Sequence, residues 1–242
     1  VKFALENKNQ VFLLSWKNIN DSECTFTWDD YVENGVINAI DKVREVSNVE
    51  KINTLGFCIG GTLLSCAAGV IAKQKRDIIN SITLMASLLE FSDPGILKIF
   101  IDESSISMRE NSVGQKGVMP GSELASTFSF LRPDDLIWNY YVSNYLKGEK
   151  PVPFDLLYWN GDSANLPGPF YCWYLKNFYL EDRLKKPNSL SVCGQKIDLQ
   201  GVTCPIYAMG AKEDHIVPCK SAFSSASLFG GKIRFVLGAS GH

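Results

Sequence analysis

Leu55-Gly56-Phe57-Cys58-Ile59-Gly60-Gly61-Thr62 is the stretch that decides how this chain folds. The apolar run Lys51 to Leu55 precedes it and reads as a buried strand. Thr62 to Ala72 follows and reads as a helix packed on most of its sides. A nucleophile flanked by glycines between a strand and a helix is the arrangement of a nucleophile elbow. The tightness of such a turn predicts that Gly56 and Gly60 must be nearly free of side chain, and that Gly61 lets the helix lie close to the sheet. Cys58 then opens a helix, where unpaired N–H groups and the helix dipole favour a thiolate. The competing reading is a buried structural cysteine, since cysteine packs readily as a small apolar residue.

Outward from the elbow, the amino-terminal side offers the tail of a helix in Val1–Gln10 and a strong strand in Val11–Trp16. An amphipathic helix is predicted from Asp29 to Val46, with Val32, Val36, Ile40, Val43 and Val46 on one face and Thr27 as its cap. On the other side Asn80–Ala86 gives a third strand. Strand, helix, strand, helix, strand implies a parallel sheet with right-handed crossovers. From Ser87 to Val202 the alternation stops, and aromatic, proline and glycine clusters punctuate helical pieces. The rhythm resumes with the strand Pro205–Gly210, a helix over Cys219–Phe229 and the strand Lys232–Leu237. The expected architecture is an α/β-hydrolase fold with a mainly parallel sheet. Residues 1–86 and 205–242 form its core, and 87–204 an inserted cap subdomain over the strand ends, where open α/β sheets bind ligands.

Composition narrows the classes of function. Of 242 residues 45% are hydrophobic and 21% charged, which describes a chain able to bury a substantial core. A net charge of -2 without a basic stripe argues against nucleic acid. No run is long enough to span a bilayer. Seven cysteines without a Cys-x-x-Cys pair suit a reducing cytoplasm, and two histidines make a histidine-rich metal site improbable. Cys66 is expected to be core, too far along the helix for a disulfide with Cys58.

A nucleophile at position 58 requires a base and an orienting acid after later strands, in the order nucleophile, acid, histidine. Asp214 falls in the loop after Pro205–Gly210, and His242 follows Lys232–Leu237. His215 is the rival base. It adjoins Asp214, and neighbours in an extended segment point apart, so His242 is preferred and His215 is given a supporting role. The backbone N–H of Ile59 is the expected oxyanion donor. Asp214 could instead be a turn or helix-cap aspartate.

These features lie within a wider likeness. Ser15-Trp16-Lys17-Asn18, Thr27-Trp28-Asp29-Asp30-Tyr31, the elbow, Asn144-Tyr145-Leu146-Lys147-Gly148 and Pro151-Val152-Pro153-Phe154-Asp155-Leu156-Leu157 open the set. Trp159-Asn160-Gly161-Asp162, Asn165-Leu166-Pro167-Gly168-Pro169, Glu213 to Pro218 and Leu237 to His242 complete it. Together they resemble the polyhydroxyalkanoate synthases, with Phe57 and Ile59 similar to the class I enzymes. The resemblance implies an acyltransferase that polymerises (R)-3-hydroxyacyl-CoA, 3-hydroxybutyryl-CoA above all, into polyester. It implies Cys58 as nucleophile, His242 as general base and Asp214 as its partner, with no metal or prosthetic group and CoA leaving with the substrate. It also implies a homodimer in the cytoplasm, on polyester granules and in contact with granule-associated proteins. Against the family pattern, the amino-terminal domain, the first sheet strands and the final helix are missing. The expectation is therefore a catalytic-domain fragment, inactive or poorly active alone. A dienelactone-hydrolase-like cysteine hydrolase and a non-catalytic granule-binding module are the alternatives.

Overall fold

The computed structural model describes residues 1–131, 133–151, 162–239 and 241. The expectations placed on Pro151-Val152 to Leu157, on Trp159 to Gly161 and on His242 fall on or run into residues outside that set. The helices in chain order are α1 (Lys2–Glu6), α2 (Trp28–Asp30), α3 (Asn38–Ser47), α4 (Ile59–Lys73), α5 (Glu103–Ser112), α6 (Gly121–Leu131), α7 (Gly168–Tyr174) and α8 (Cys219–Ala226). The strands are β1 (Ile52–Phe57), β2 (Ile79–Met85), β3 (Val118–Met119), β4 (Leu166–Pro167), β5 (Leu190–Val192), β6 (Gln195–Ile197), β7 (Ile206–Ala211) and β8 (Ile233–Gly238). The chain divides into two units. One holds Val1–Lys17, Thr27–Ile106 and Trp173–His242, and the other Asn18–Phe26 and Ser107–Cys172.

The first unit is built on a four-stranded sheet in the order β1-β2-β7-β8, with every pair parallel. Ile82 and Leu84 of β2 and Ile206 and Ala208 of β7 point to one face and are buried. α4 packs against this sheet, and every residue from Gly61 to Ile71 is buried. A helix enclosed on all sides needs an all-round apolar sequence, which explains why Thr62 to Ala72 shows no amphipathic stripe. On the opposite face Leu55 and Phe57 are 62% and 53% exposed. Register places Phe57, Met85, Met209 and Val236 in one row at the carboxyl ends of the strands. The residue after that row in β1 is Cys58.

The loop after β2 is tied down from several sides. Leu89 and Glu90 donate their N–H groups to Ser225 Oγ of α8 at 2.8 and 3.0 Å, and Ser221 Oγ donates to the Asp93 carbonyl. Phe91 N–H donates to Asp182 Oδ1 at 2.8 Å. The other Asp182 oxygen meets Lys185 Nζ at 2.7 Å, and Lys185 also reaches Glu90 at 3.0 Å. An aromatic cluster of Trp28, Phe91, Tyr174, Phe178 and Tyr179 fills the space beside these bonds.

The second unit pairs β3 with β4 antiparallel. Asn165 is its organising amide: Oδ1 accepts from Gly121 N–H, Nδ2 donates to the Ile19 carbonyl, and its backbone N–H donates to Asn18 Oδ1. The short segment at Asn18 therefore belongs with residues far along the chain.

Three readings need correction. Val11–Trp16 is not a strand. Its apolar content confers propensity, but a strand exists only with a ladder partner, and this segment has none in the sheet. Phe12, Leu13 and Leu14 are exposed, while Trp16 packs its ring on Tyr31 at 4.9 Å. The helix read over Asp29–Val46 is present, but Tyr31–Ile37 within it is π-helical. Between Ser87 and Val202, where no alternation was expected, β5 and β6 form a hairpin whose turn residues Cys193 and Gly194 have φ of 49° and 71°.

A further correction concerns the glycines, and it yields a test. A Cβ on Gly56 would stand 2.5 Å from Gly61 Cα, and one on Gly61 would stand 2.0 Å from Ser87 Oγ. A Cβ on Gly60 would meet nothing within 4 Å. The turn therefore depends on Gly56 and Gly61, and not on Gly60. Gly56→Ala is expected to cost about 2 kcal/mol or more, because backbone would have to move. Gly60→Ala, inside a helix, should be neutral or stabilising by up to about 1 kcal/mol. Denaturant midpoints of the two variants check this; equal losses would contradict it.

Candidate active site

Cys58 lies between the last residue of β1 and the first of α4, with φ 50° and ψ -126°. An L-residue held in that region costs about 1–3 kcal/mol and persists only when its surroundings impose it. Here Cys58 N–H donates to the Met85 carbonyl at 3.0 Å, and the Cys58 carbonyl accepts from Gly61 N–H at 2.9 Å. The side chain is thus fixed at the apex of the turn, half-buried, at the carboxyl edge of the sheet. Ile59 opens α4, so its N–H has no intrahelical acceptor and is available to an oxyanion.

Asp214 follows β7, at the same edge of the sheet, and is 7% exposed. Its Oδ1 accepts from Ile216 N–H at 2.9 Å and Val217 N–H at 2.8 Å. These bonds make the turn expected of a loop aspartate and also fix the carboxylate's orientation. The turn reading and the functional one are therefore compatible. His215 is partly buried, and its carbonyl lies 3.0 Å from where a Cβ of Gly95 would stand. Gly95, at φ 67°, allows the loop after β2 to pass close to the loop after β7. His242 lies outside the described residues. The sheet thus brings Cys58 and Asp214 to one edge.

Sequence reasoning missed Tyr174. Burial pushes its hydroxyl well above the usual tyrosine range, with the nearby Tyr179 and Cys58 adding to the effect. Its ring stacks on Trp28 at 5.2 Å and meets Tyr179 edge to face at 5.4 Å. The available signal was a pair of tyrosines in a helical stretch, beginning just after the Gly168-Pro169 helix start. Among the described residues no group of three or more histidine, cysteine, aspartate or glutamate side chains is arranged to hold a metal ion.

Four other cysteines lie where burial disfavours the thiolate. Burial pushes the Cys66 thiol far up, Cys172 to about 11, Cys193 to about 12, and Cys204 upward. Cys66 is fully buried and free, as core.

The alpha/beta hydrolase fold family model matches residues 3–242, and the chain belongs to that family. Within it, the chain is similar to enzymes that carry a polymerase name. It is 51% identical over 247 residues to the Poly(3-hydroxyalkanoate) polymerase subunit PhaC of Cupriavidus necator, which covers 100% of the chain and 42% of that protein. It is 40% identical over 242 residues to the protein of the same name in Rhizobium meliloti, covering 100% of the chain and 39% of the relative. It is 37% identical over 241 residues to Poly(3-hydroxyalkanoate) polymerase 1 of Ectopseudomonas oleovorans, covering 100% and 43%. The chain spans about two fifths of the length of these relatives.

The thiol environments predict an order of reactivity. In the folded protein at pH 8, iodoacetamide should modify Cys58 at least about tenfold faster than Cys66, Cys172, Cys193 and Cys204, because only thiolate reacts. Peptide mass mapping over time measures the order. Equal or faster modification of Cys66 or Cys193 would contradict it.

Proposed function

We propose that this chain carries the acyl-transfer centre of a poly(3-hydroxyalkanoate) polymerase, acting on (R)-3-hydroxyacyl-CoA through a Cys58–His242–Asp214 triad. One observation supports this most: a cysteine occupies the strained apex of an elbow, in a chain similar over its whole length to polymerases. 3-Hydroxybutyryl-CoA is the favoured substrate, from the likeness of Phe57 and Ile59 to class I enzymes.

His242 takes the Cys58 proton, and the thiolate attacks the thioester carbonyl of the substrate. The Ile59 N–H stabilises the oxyanion of the tetrahedral intermediate. Its collapse expels the CoA thiolate, which takes up the proton from His242 and leaves as free CoA. The acyl group is now a thioester on Cys58. His242 next accepts the proton of a 3-hydroxyl, which attacks an acyl thioester; the C–S bond breaks as the ester bond of the polymer forms, and the departing thiolate takes the proton back from His242. Asp214 holds the imidazole and stabilises its charged form.

Sulfur suits this sequence for a thermodynamic reason. Exchange of one thioester for another keeps the acyl group activated. A serine would hold it as an oxyester, no more reactive than the product polymer, and chain growth would lose its driving force. The reaction uses protein groups and the substrate's own thioester, without a metal or prosthetic group. A homodimer, a cytoplasmic site on polyester granules and contact with granule-associated proteins complete the proposal. No helix among the described residues is long and apolar enough to cross a membrane.

Single-turnover acylation tests the reading. The chain, mixed with (R)-3-hydroxybutyryl-CoA, should release CoA and show a hydroxybutyryl adduct on the Cys58 peptide by mass spectrometry. Cys58→Ala should abolish both, lowering the CoA-release rate by at least about a thousandfold. Adduct formation that survives Cys58→Ala, or release of 3-hydroxybutyric acid as the sole acyl product, would contradict it.

A further inference from the structure

The loop after β2 lies between the two groups that the site needs. β2 stands between β1, which leads to Cys58, and β7, which leads to Asp214. Neighbouring strands are about 4.8 Å apart, so the chain that leaves β2 fills the gap between the elbow and the Asp214 loop. It touches both. At its start Ser87 packs against Gly61, and the Leu88 carbonyl accepts from Thr62 Oγ1 at 2.8 Å. At its end the Asp93 carbonyl accepts from Ser221 Oγ at 2.7 Å, and Gly95 passes close to the His215 carbonyl.

From Ser87 to Pro94 the chain is neither helix nor strand, so its buried N–H groups need acceptors from elsewhere. Ser225 Oγ accepts from Leu89 and Glu90, and Asp182 Oδ1 accepts from Phe91 at 2.8 Å. Ser225 belongs to α8, which follows the Asp214 loop. Asp182 comes from a third place, just past the π-helical turn Leu175–Leu180. Its own N–H donates to the Phe178 carbonyl at 3.0 Å, and its φ is 46°, where a helix end usually has glycine. The carboxylate gives a reason for a buried acid in that strained position. It holds the Phe91 N–H and is neutralised by Lys185 Nζ at 2.7 Å, which also meets Glu90 of the same loop at 3.0 Å. A bond to an ionised acceptor is stronger than a neutral one.

We propose that Asp182 is a positioning residue of the site: by holding the Phe91 N–H it fixes the loop after β2 as a strut, which sets the place of Asp214 against Cys58. This rests on the reading of Cys58 and Asp214 as nucleophile and acid. Asp182 touches neither of them and acts through the loop. Asp182→Gly separates the carboxylate from the backbone it stands on. Glycine adopts φ 46° without strain, so the helix end is kept while the Phe91 N–H loses its acceptor. Asp182→Asn keeps an acceptor oxygen and tolerates the same φ.

Two readouts test this. The first is hydrogen–deuterium exchange followed by peptide mass spectrometry, without substrate. In Asp182→Gly, residues 211–218 should exchange at least about fivefold faster than in the parent, and residues 62–71 within about twofold of it. Asp182→Asn should stay near the parent in both. Unchanged exchange at 211–218, or an equal acceleration at 62–71, overturns the proposal. Should Asp182→Gly not fold, Asp182→Ser serves: its side chain is too short for the Phe91 N–H and should give the same local acceleration, and its absence overturns the proposal. The second readout is the maximal single-turnover rate of CoA release, which Asp182→Gly should lower about tenfold or more and Asp182→Asn should largely keep. Asp214→Asn should then cost at least about fivefold less in the Asp182→Gly background than in the parent, because the acid is already displaced. An unchanged rate in Asp182→Gly, or equal costs of Asp214→Asn in the two backgrounds, overturns the proposal. A parent that releases no CoA fails the reading of the site instead, and exchange still decides whether Asp182 holds the Asp214 loop.

Discussion

The close approach of two backbones, Gly56 at the end of β1 and Gly61 in the first turn of α4, is the contact on which the rest depends. With no Cβ on either, the chain reverses within a few residues. That reversal forces Cys58 to φ 50°, a conformation an L-residue does not adopt unaided. Two hydrogen bonds, to the Met85 carbonyl and from Gly61 N–H, hold it there. The same turn starts α4 at Ile59, which supplies the site with an N–H lacking an intrahelical partner. The position of Cys58 and the open N–H of Ile59 are thus consequences of one steric constraint.

The constraint reaches outward through α4. Gly61 fits against Ser87, and Thr62 bonds the Leu88 carbonyl, so the helix start holds the loop after β2. Ser225, Ser221 and Asp182 grip the same loop from other elements. The parallel sheet then brings Asp214 to the same edge: β7 lies beside β2, and its loop fixes the carboxylate by two backbone N–H bonds. Each group comes to the sheet's carboxyl edge because every strand runs the same way. A parallel sheet makes a site at that edge the natural outcome.

The elements legible from sequence were those whose signal is local. The run before Gly56, the mostly apolar helix after it and the strands at Ile79–Met85, Ile206–Ala211 and Ile233–Gly238 carry their own periodicity or burial pattern. Cys58 and Asp214 were legible because each sits directly after such a strand. Val11–Trp16 misled because its composition suits a strand while no strand of the sheet pairs with it. The Leu190–Ile197 hairpin was missed because Cys193-Gly194 is an unusual pair for a turn that needs two positive φ values. Gly60 was credited with a role that belongs to Gly61, since a motif shows which glycines are present but not which one a neighbour touches. Tyr174 was invisible for a stronger reason. Its packing on Trp28 joins two helices distant in sequence, and no local pattern encodes it.

The central claim is that one sheet edge assembles cysteine, histidine and carboxylate into a single acyl-transfer centre. A crystal structure of the chain that fixes the His242 imidazole against Cys58 Sγ tests it most directly. The account predicts a ring nitrogen within about 3–4 Å of the sulfur, allowing for the longer contacts of an unliganded site, with the other nitrogen turned to Asp214. An imidazole on the far side of the sheet from Cys58 would contradict it.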